Sequence, residues 1–177
     1  PRLMQHSPRM QRRTLLKLGI GAAAVLAVAG GGVALFQPGL RGEHLGPGAR
    51  EVMHAVARAV LDGILPSAAA EREQVLRAHL DRLDAAVAAF PSATRAELSQ
   101  LFALLASAPG RVALAGLHSP WPEAEVDAIQ QSLQGLRLSR LALKQQTYHA
   151  LRDLTNAAYF SDPSAWAHLG YPGPQDI

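Results

Sequence analysis

Cysteine is missing from this chain of 177 residues. Its absence excludes disulfides, thiolate zinc sites, iron–sulfur clusters and haem attached through Cys-x-x-Cys-His. It also fits a compartment in which free thiols would oxidise. The sequence therefore offers no cysteine-based redox or metal chemistry.

Acidic residues are missing from residues 1–36, which hold five of the 17 lysines and arginines. Residues 37–177 carry 12 basic against 14 acidic groups, a balance of −2. The net charge of +3 thus comes from residues 1–36 and does not indicate a nucleic-acid partner for the rest of the chain. Aromatic residues make up only 5% of the chain and do not interleave with basic ones.

Catalytic motifs are missing as well. The sequence holds no Gly-x-Ser-x-Gly elbow and no Walker phosphate loop. The histidines that a metal role would use show neither an i, i+4 pair nor an acid cluster beside them: His54, His79, His118, His149 and His168. We expect surface or hydrogen-bonded histidines, with convergence on a metal in three dimensions as the alternative. The chain is not predicted to be an enzyme on its own.

A basic stripe at i, i+3 and i+7 is formed by Arg137, Arg140 and Lys144. Such a stripe is usually a solvated helix face, and a partner-docking patch is the alternative.

The N-terminal segment resembles a twin-arginine export signal. The residues that carry this resemblance are Arg12, Arg13, Leu15, Leu16 and Lys17. Nineteen uncharged residues follow, Leu18–Phe36, and would rise about 28 Å as a helix, close to the thickness of a bilayer core. The pattern predicts export by the Tat translocase to the periplasm, with the N-terminus left in the cytoplasm. Cleavage and retention both remain open; the lack of a small-x-small site after Phe36 favours a retained anchor in the inner membrane.

Helical periodicity fills the chain from Glu51 to Tyr159, and no run alternates as a strand would. The fold class is therefore all-α, with five or six helices. The predicted helices are Glu51–Leu65, Glu71–Phe90, one opened by a capping box at Thr94–Glu97, a short one at Pro109–Leu117, one beginning at Ser119–Glu123, and one from about Leu136 to Tyr159. The last helix is expected to bury Leu138, Leu141, Tyr148, Leu151 and Leu154 on or near one face.

Composition divides the chain into four parts. Residues 1–36 are the signal or anchor, 37–48 a Pro/Gly linker, 49–159 the helical domain and 160–177 an extended tail. Four aromatics fall within residues 159–171. Three prolines and two glycines fall within residues 159–174, and the prolines stiffen this segment. Such a segment loses little entropy on docking, which is typical of a binding element. The alternative is that Trp166 and Tyr171 fold back onto the chain's own helices.

The tail resembles the ending of the gluconate 2-dehydrogenase subunit 3 family. The matching residues span Tyr159–Pro174, whereas the helical body is similar only in size and pattern. The resemblance implies partner-binding roles for Tyr159, Phe160, Pro163, Trp166, Leu169, Gly170, Tyr171, Pro172, Gly173 and Pro174. It further implies that this chain holds no cofactor and supplies export and assembly to a leaderless partner.

That partner, by the same resemblance, is a large flavoprotein of the glucose-methanol-choline oxidoreductase group. It would bind FAD and oxidise a sugar or another alcohol, and a cytochrome c subunit with haem c often takes the electrons onward. The interpretation is therefore a non-catalytic small subunit of a membrane-associated dehydrogenase. Its rival is a stand-alone, membrane-anchored periplasmic helical domain that acts as a binding module or scaffold.

Overall fold

The computed structural model describes residues 38–170, and of residues 167–169 only the backbone. Its elements are β1 (Leu40–Arg41), β2 (His44–Leu45), α1 (Pro47–Val60), α2 (Ala69–Ala88), α3 (Ser92–Ala106), α4 (Ala108–Gly110), α5 (Val126–Leu138) and α6 (Ala142–Phe160). A π-helical turn, Arg111–Ala115, and two 3-10 helices, Trp121–Glu123 and Pro163–Leu169, complete this part of the chain. The predicted all-α class is confirmed. The predicted signal or membrane helix lies outside the described residues.

Helix α1 is the centre of the fold and packs against α2, α3, α5 and α6. Half of its 14 residues are buried, and four of the seven are alanines, which let neighbouring helices approach closely. The helix begins at Pro47, whose fixed φ suits a first helical position. It ends five residues before the predicted Leu65, ahead of Gly63, whose φ of 84° does not continue a helix.

Residues 38–46, expected to be linker, form a hairpin that packs on the helices. Strands β1 and β2 pair Leu40 with Leu45, and both leucines are buried. The Leu40 amide donates to Ser99 Oγ at 3.1 Å and the Leu45 amide donates to Asp84 Oδ1 at 2.7 Å. Gly39 lies so close to α3 that a Cβ would collide with the Ser99 carbonyl oxygen. Proline and glycine are common both in linkers and in tight hairpin turns, so composition alone could not distinguish the two.

Helices α2 and α3 come close to their predicted positions, but the predicted capping box at Thr94–Glu97 is wrong. The N-cap of α3 is Pro91, with no side-chain cap, and Thr94 lies inside the helix. Arg95 instead closes the end of α2, donating to the carbonyl oxygens of Ala88 and Phe90 at 3.1 and 2.9 Å. The residue spacing of a capping box can thus occur inside a helix whose N-cap lies a few residues earlier in the chain.

The break before α6 lies at Ser139–Leu141, whereas the last helix was predicted to begin near Leu136. Ser139 Oγ accepts from the Leu141 amide, and the Ser139 carbonyl oxygen accepts from Gln145 Nε2. These local bonds replace helical ones and favour a turn. Leu151 is buried as predicted, but the expected burial of Leu138 and Leu141 is wrong: both lie at the turn and are exposed.

The main core is the larger cluster of buried apolar residues, contributed by the hairpin and by α1, α2, α3, α5 and α6. Its largest fully buried side chains include Phe102, Met53 and Ile129. Trp121 closes one side, and its Nε1 donates to the Leu105 carbonyl oxygen at 2.8 Å. The buried indole is thereby satisfied, as a buried polar group requires.

Within residues 38–170, no single helix is both long and apolar enough to cross a membrane. One bent pair, Ser92–Ala106 with Ala108–Ala115, meets the length and hydropathy requirements together, at a bend of 88°.

Candidate functional site: a groove beside the C-terminal segment

An open groove of about 820 Å³ lies where the end of α6 meets α2, and we name it the C-terminal groove. Its walls come from three places: the loop after α1, one face of α2, and the segment that leads from α6 into the Pro163–Leu169 helix. The lining residues on α2 are Glu71, Val75, Ala78 and Arg82. Their spacing of four, three and four residues places them on one helix face.

The floor of the groove is a second, smaller apolar cluster, which we name the C-terminal cluster. Its buried members are Ala57, Leu61, Leu76, Tyr159 and Ala165. Tyr159 is only 4% exposed and meets Phe160 edge-to-face, with ring centroids 5.1 Å apart. Burial raises the pKa of the Tyr159 phenol. The first residues of the C-terminal segment thus belong to the domain's own interior.

One wall of the groove is held by Arg82. Its Nε donates to the Ala158 carbonyl oxygen at 2.8 Å, and its guanidinium donates to Asp162 Oδ2 at 3.2 Å. The Ser164 hydroxyl and amide both donate to Asp162 Oδ1, at 2.8 and 2.9 Å. These two bonds, and then the Arg82 charge, lower the pKa of the Asp162 carboxyl. The Arg82 guanidinium thus holds the end of α6 and the residues that follow it against α2.

Trp166 is half-buried, and its Nε1 donates to the Phe160 carbonyl oxygen at 2.8 Å. The bond ties the Pro163–Leu169 helix back to the last residue of α6. This helix stands where an extended segment was expected. Prolines do not prevent it, because Pro163 occupies its first position, where a missing N–H costs little.

The predicted partner-binding residues therefore divide into separate groups. Tyr159 is buried and Phe160 half-buried, whereas Pro163 and Gly170 are exposed. Gly170 has a φ of 65°, a left-handed conformation that favours glycine. The structure describes only the backbone of Leu169. The described residues do not include Tyr171, Pro172, Gly173 and Pro174. Nor do they include the export-signal residues Arg12, Arg13, Leu15, Leu16 and Lys17.

Among the residues that the structure describes, the histidines are not brought together as a metal site. His54 Nε2 lies 3.1 Å from Glu73 Oε2, whereas His118 and His149 are exposed. In the described part of the chain, no group of three or more His, Asp or Glu side chains could hold a metal ion. The side chain of His168 is not described.

His79 is the exception among them, because its ring is fully buried on α2 and neither nitrogen has a hydrogen-bond partner within residues 38–170. Burial lowers its pKa to about 4, and the nearby charges of Arg82 and His54 add to the shift. The ring is therefore neutral at pH 7 and packs as part of the interior. Sequence reasoning missed this burial, although His79 follows Leu76 at helical spacing.

Sequence reasoning also missed Arg82 and Asp162, which are 80 positions apart. The spacing of Glu71, Val75, Ala78 and Arg82 was a readable signal for one shared face. The sequence did not indicate which element this face of α2 contacts, because that depends on how α6 crosses α2. The groove joins an apolar floor to a charged rim, an arrangement suited to holding an apolar side chain of a partner.

Comparisons with protein-family models, with curated proteins and with solved structures find no match.

Proposed function

We propose that this chain is the non-catalytic small subunit of a periplasmic, FAD-dependent sugar or alcohol dehydrogenase complex anchored to the inner membrane. The observation that carries the proposal is the position of Asp162, Ser164 and Ala165, which form one wall of the C-terminal groove. They belong to the segment whose sequence resembles the gluconate 2-dehydrogenase subunit 3 ending. The groove is thus the surface on which a catalytic subunit docks.

Docking would use both kinds of surface that the groove offers. Ile64, Leu65 and Val75 are half-buried at its floor and gain burial when an apolar side chain enters. The rim of the groove is charged and carries Glu71 and the ion pair of Arg82 with Asp162. These charges would fix the position of the partner in the groove, since charged rims add specificity more than affinity. The large subunit would supply FAD and the oxidation chemistry, and a cytochrome c subunit with haem c would take the electrons.

Export is the other part of the proposed role. Arg12 and Arg13 would direct the assembled, folded complex through the Tat translocase, because such signals are read by a receptor rather than acting as anchors. Leu18–Phe36 would then remain in the inner membrane. A leaderless catalytic subunit would reach the periplasm only while bound to this chain.

The first test is a detergent pull-down of the tagged chain from native membranes, with a visible spectrum of the eluate. We expect a co-purifying flavoprotein with a yellow spectrum, with or without haem bands. A colourless single band would refute the subunit role. Replacing Arg12 and Arg13 by lysine should leave the flavoprotein in the cytoplasm.

The groove is tested by Ala78→Arg. Ala78 is exposed on the groove wall, so a long charged side chain would fill the space without disturbing the interior. We expect at least about tenfold weaker retention of the flavoprotein, equivalent to about 1.4 kcal/mol. Ala96→Arg, at an exposed alanine on α3 that does not line the groove, is the matched control. Equal retention by both variants would exclude the groove as the docking surface.

Trp166→Ala tests the Pro163–Leu169 helix. By hot-spot reasoning, Trp166→Ala should weaken association with the flavoprotein by about 2–4 kcal/mol, and unchanged retention would exclude this helix from the interface. Because Trp166 also donates to Phe160 within the chain, Trp166→Phe serves as the comparison. It keeps the ring and loses the hydrogen bond, so it should retain more of the affinity than alanine does.

A second candidate, the stand-alone anchored scaffold, is favoured by one observation. Tyr159 and Ala165 pack into the chain's own C-terminal cluster, so these two side chains are buried without a partner. Sedimentation of the detergent-solubilised chain distinguishes the two roles. A scaffold gives a colourless monomer, and a subunit gives a larger flavin-containing species.

A further inference from the structure

A second groove, of about 470 Å³, is lined by Lys144 and His118 among mostly uncharged residues. Residues 114–119 form one wall, and α5 with Lys144 forms the other. We name this region, comprising residues 111–119 and 137–144, the basic corner.

All three exposed large apolar residues of the described chain belong to the basic corner. Leu138 is 67% exposed, Leu141 is 62% exposed and Val112 is 39% exposed. Val112 precedes the wall at 114–119, and the two leucines lie between Leu136 and Lys144, which both line the groove. Three such residues beside one groove mark an interaction surface, because isolated exposed leucines are ordinary but grouped ones are not.

The charge of the corner is of one sign. Arg137 and Arg140 are exposed and Lys144 is half-buried, and none of the three forms an ion pair with an acid in the described part of the chain. Residues 128–152 contain no aspartate or glutamate at all. The corner is therefore cationic although residues 37–177 as a whole carry a balance of −2.

The groove wall adds groups that suit a phosphate. Arg111 donates to the carbonyl oxygens of Leu117 and His118, which holds the turn and keeps its own charge beside the groove. His118 and Ser119 are exposed on that turn, facing the same groove as Lys144. Hydroxyl, imidazole and ammonium groups can all donate to phosphate oxygens.

We propose that the basic corner binds the surface of an anionic phospholipid bilayer. Leu138 and Leu141 enter the boundary between headgroups and acyl chains, while Arg137, Arg140 and Lys144 meet the lipid phosphates. An exposed apolar pair bordered by basic residues is the arrangement by which peripheral surfaces bind such membranes. A protein partner could also cover this surface, and the experiment below distinguishes it from a bilayer.

Lipid binding here is independent of the subunit role, since neither the C-terminal groove nor a flavoprotein takes part. The absence of cysteine makes a direct test possible, because one introduced cysteine can be labelled alone. The full chain carrying Leu141→Cys with an attached bimane dye is reconstituted with vesicles whose lipids bear a shallow doxyl quencher. Vesicles with about 30% phosphatidylglycerol are compared with vesicles of phosphatidylcholine alone.

We expect strong quenching of the dye in the anionic vesicles and little in the neutral ones. Substituting Arg137, Arg140 and Lys144 by glutamine should weaken the anionic-vesicle effect by at least about tenfold in lipid concentration, since each cation near the surface contributes roughly fivefold. About 1 M salt should have the same effect, because it shortens the Debye length to roughly 3 Å. A dye on Ala96→Cys, at an exposed site on α3, should stay unquenched.

Three results would overturn the proposal. The first is no quenching at position 141 in anionic vesicles, and the second is equal quenching in both lipids. The third is a dye that is shielded only when the purified flavoprotein is added, which would assign the corner to a protein partner. None of these results would bear on the flavoprotein pull-down, so the two proposals can fail separately.

Discussion

The main core and the C-terminal cluster differ in how completely they are closed. Within the described residues the main core contains 25 buried apolar residues and is sealed by the hairpin and by Trp121. The C-terminal cluster contains five, and it forms the floor of an open groove. Because apolar burial is the main favourable term in folding, stability should come mostly from the first region. The second is left with enough exposed surface to bind a partner.

The largest expected effect comes from truncating the centre of the main core. Phe102→Ala removes a fully buried ring and should lower the free energy of unfolding by about 3–5 kcal/mol. Phe160→Ala makes the same change beside the C-terminal cluster, where the ring is half-buried, and should cost about 1–2 kcal/mol. Urea denaturation measures both. Equal losses would contradict the contrast between the two regions.

The next effect concerns His79, which lies on α2 between Leu76 of the C-terminal cluster and Leu80 of the main core. Its pKa is about 4 in the folded chain and about 6.5 when unfolded, so the unfolded chain binds more protons between these values. The contribution of neutral His79 to the free energy of unfolding is therefore fully present above about pH 6.5, and it is lost as the pH is lowered toward 4. The loss is roughly 3 kcal/mol.

The check is the pH dependence of the unfolding free energy in His79→Leu, which should lack this contribution while keeping that of the carboxylates. His149→Leu, at an exposed histidine, is the matched control for replacing a histidine by leucine. An unchanged slope in His79→Leu would show that the ring is hydrated or partnered in solution.

A smaller effect is expected from Arg82→Ala, which separates the C-terminal segment from α2. The variant loses the bonds to Ala158 and Asp162 and should be less stable by about 1–2 kcal/mol. Chymotrypsin cleavage at Phe160 or Trp166 should speed up more than overall unfolding does. Arg82→Lys should restore little, since a lysine cannot reproduce the two-directional guanidinium contact. Proteolysis that tracks global unfolding would contradict the local role.

The smallest effect is expected from Ser164→Ala, which removes one of the two Ser164 hydrogen bonds to Asp162. Stability should change by less than about 1 kcal/mol. The pKa of the Asp162 carboxyl should rise toward its ordinary range, because the hydroxyl bond is the largest cause of its lowering. Carboxyl NMR titration measures the change. A pKa that stays low would mean that the Ser164 amide and Arg82 are enough to hold the carboxylate ionised.

Sequence periodicity predicted α2 and α3 well because each has one buried face, and helix geometry repeats that face every three or four residues. Leu76, Leu80, Leu83 and Val87 are buried as their spacing indicates. The same reasoning was wrong at Leu138 and Leu141, because it assumed a continuous helix across a turn that Ser139 sets by local hydrogen bonds. Of the candidate site, the sequence pointed to the C-terminal segment but not to α2 opposite it.

The sequence by itself determined the all-α class, the approximate positions of α2 and α3, and the C-terminal segment as part of the candidate site. Each of these depends on residues close together in the chain, and local spacing and proline positions encode them. Only the tertiary structure decided that residues 38–46 join the core and that Arg82 meets Asp162. It also decided that His79 is buried with no hydrogen-bond partner among residues 38–170. Those contacts join residues 39 to 80 positions apart, or depend on which helices cover a given face. Helix packing fixes them, and local periodicity does not contain that information.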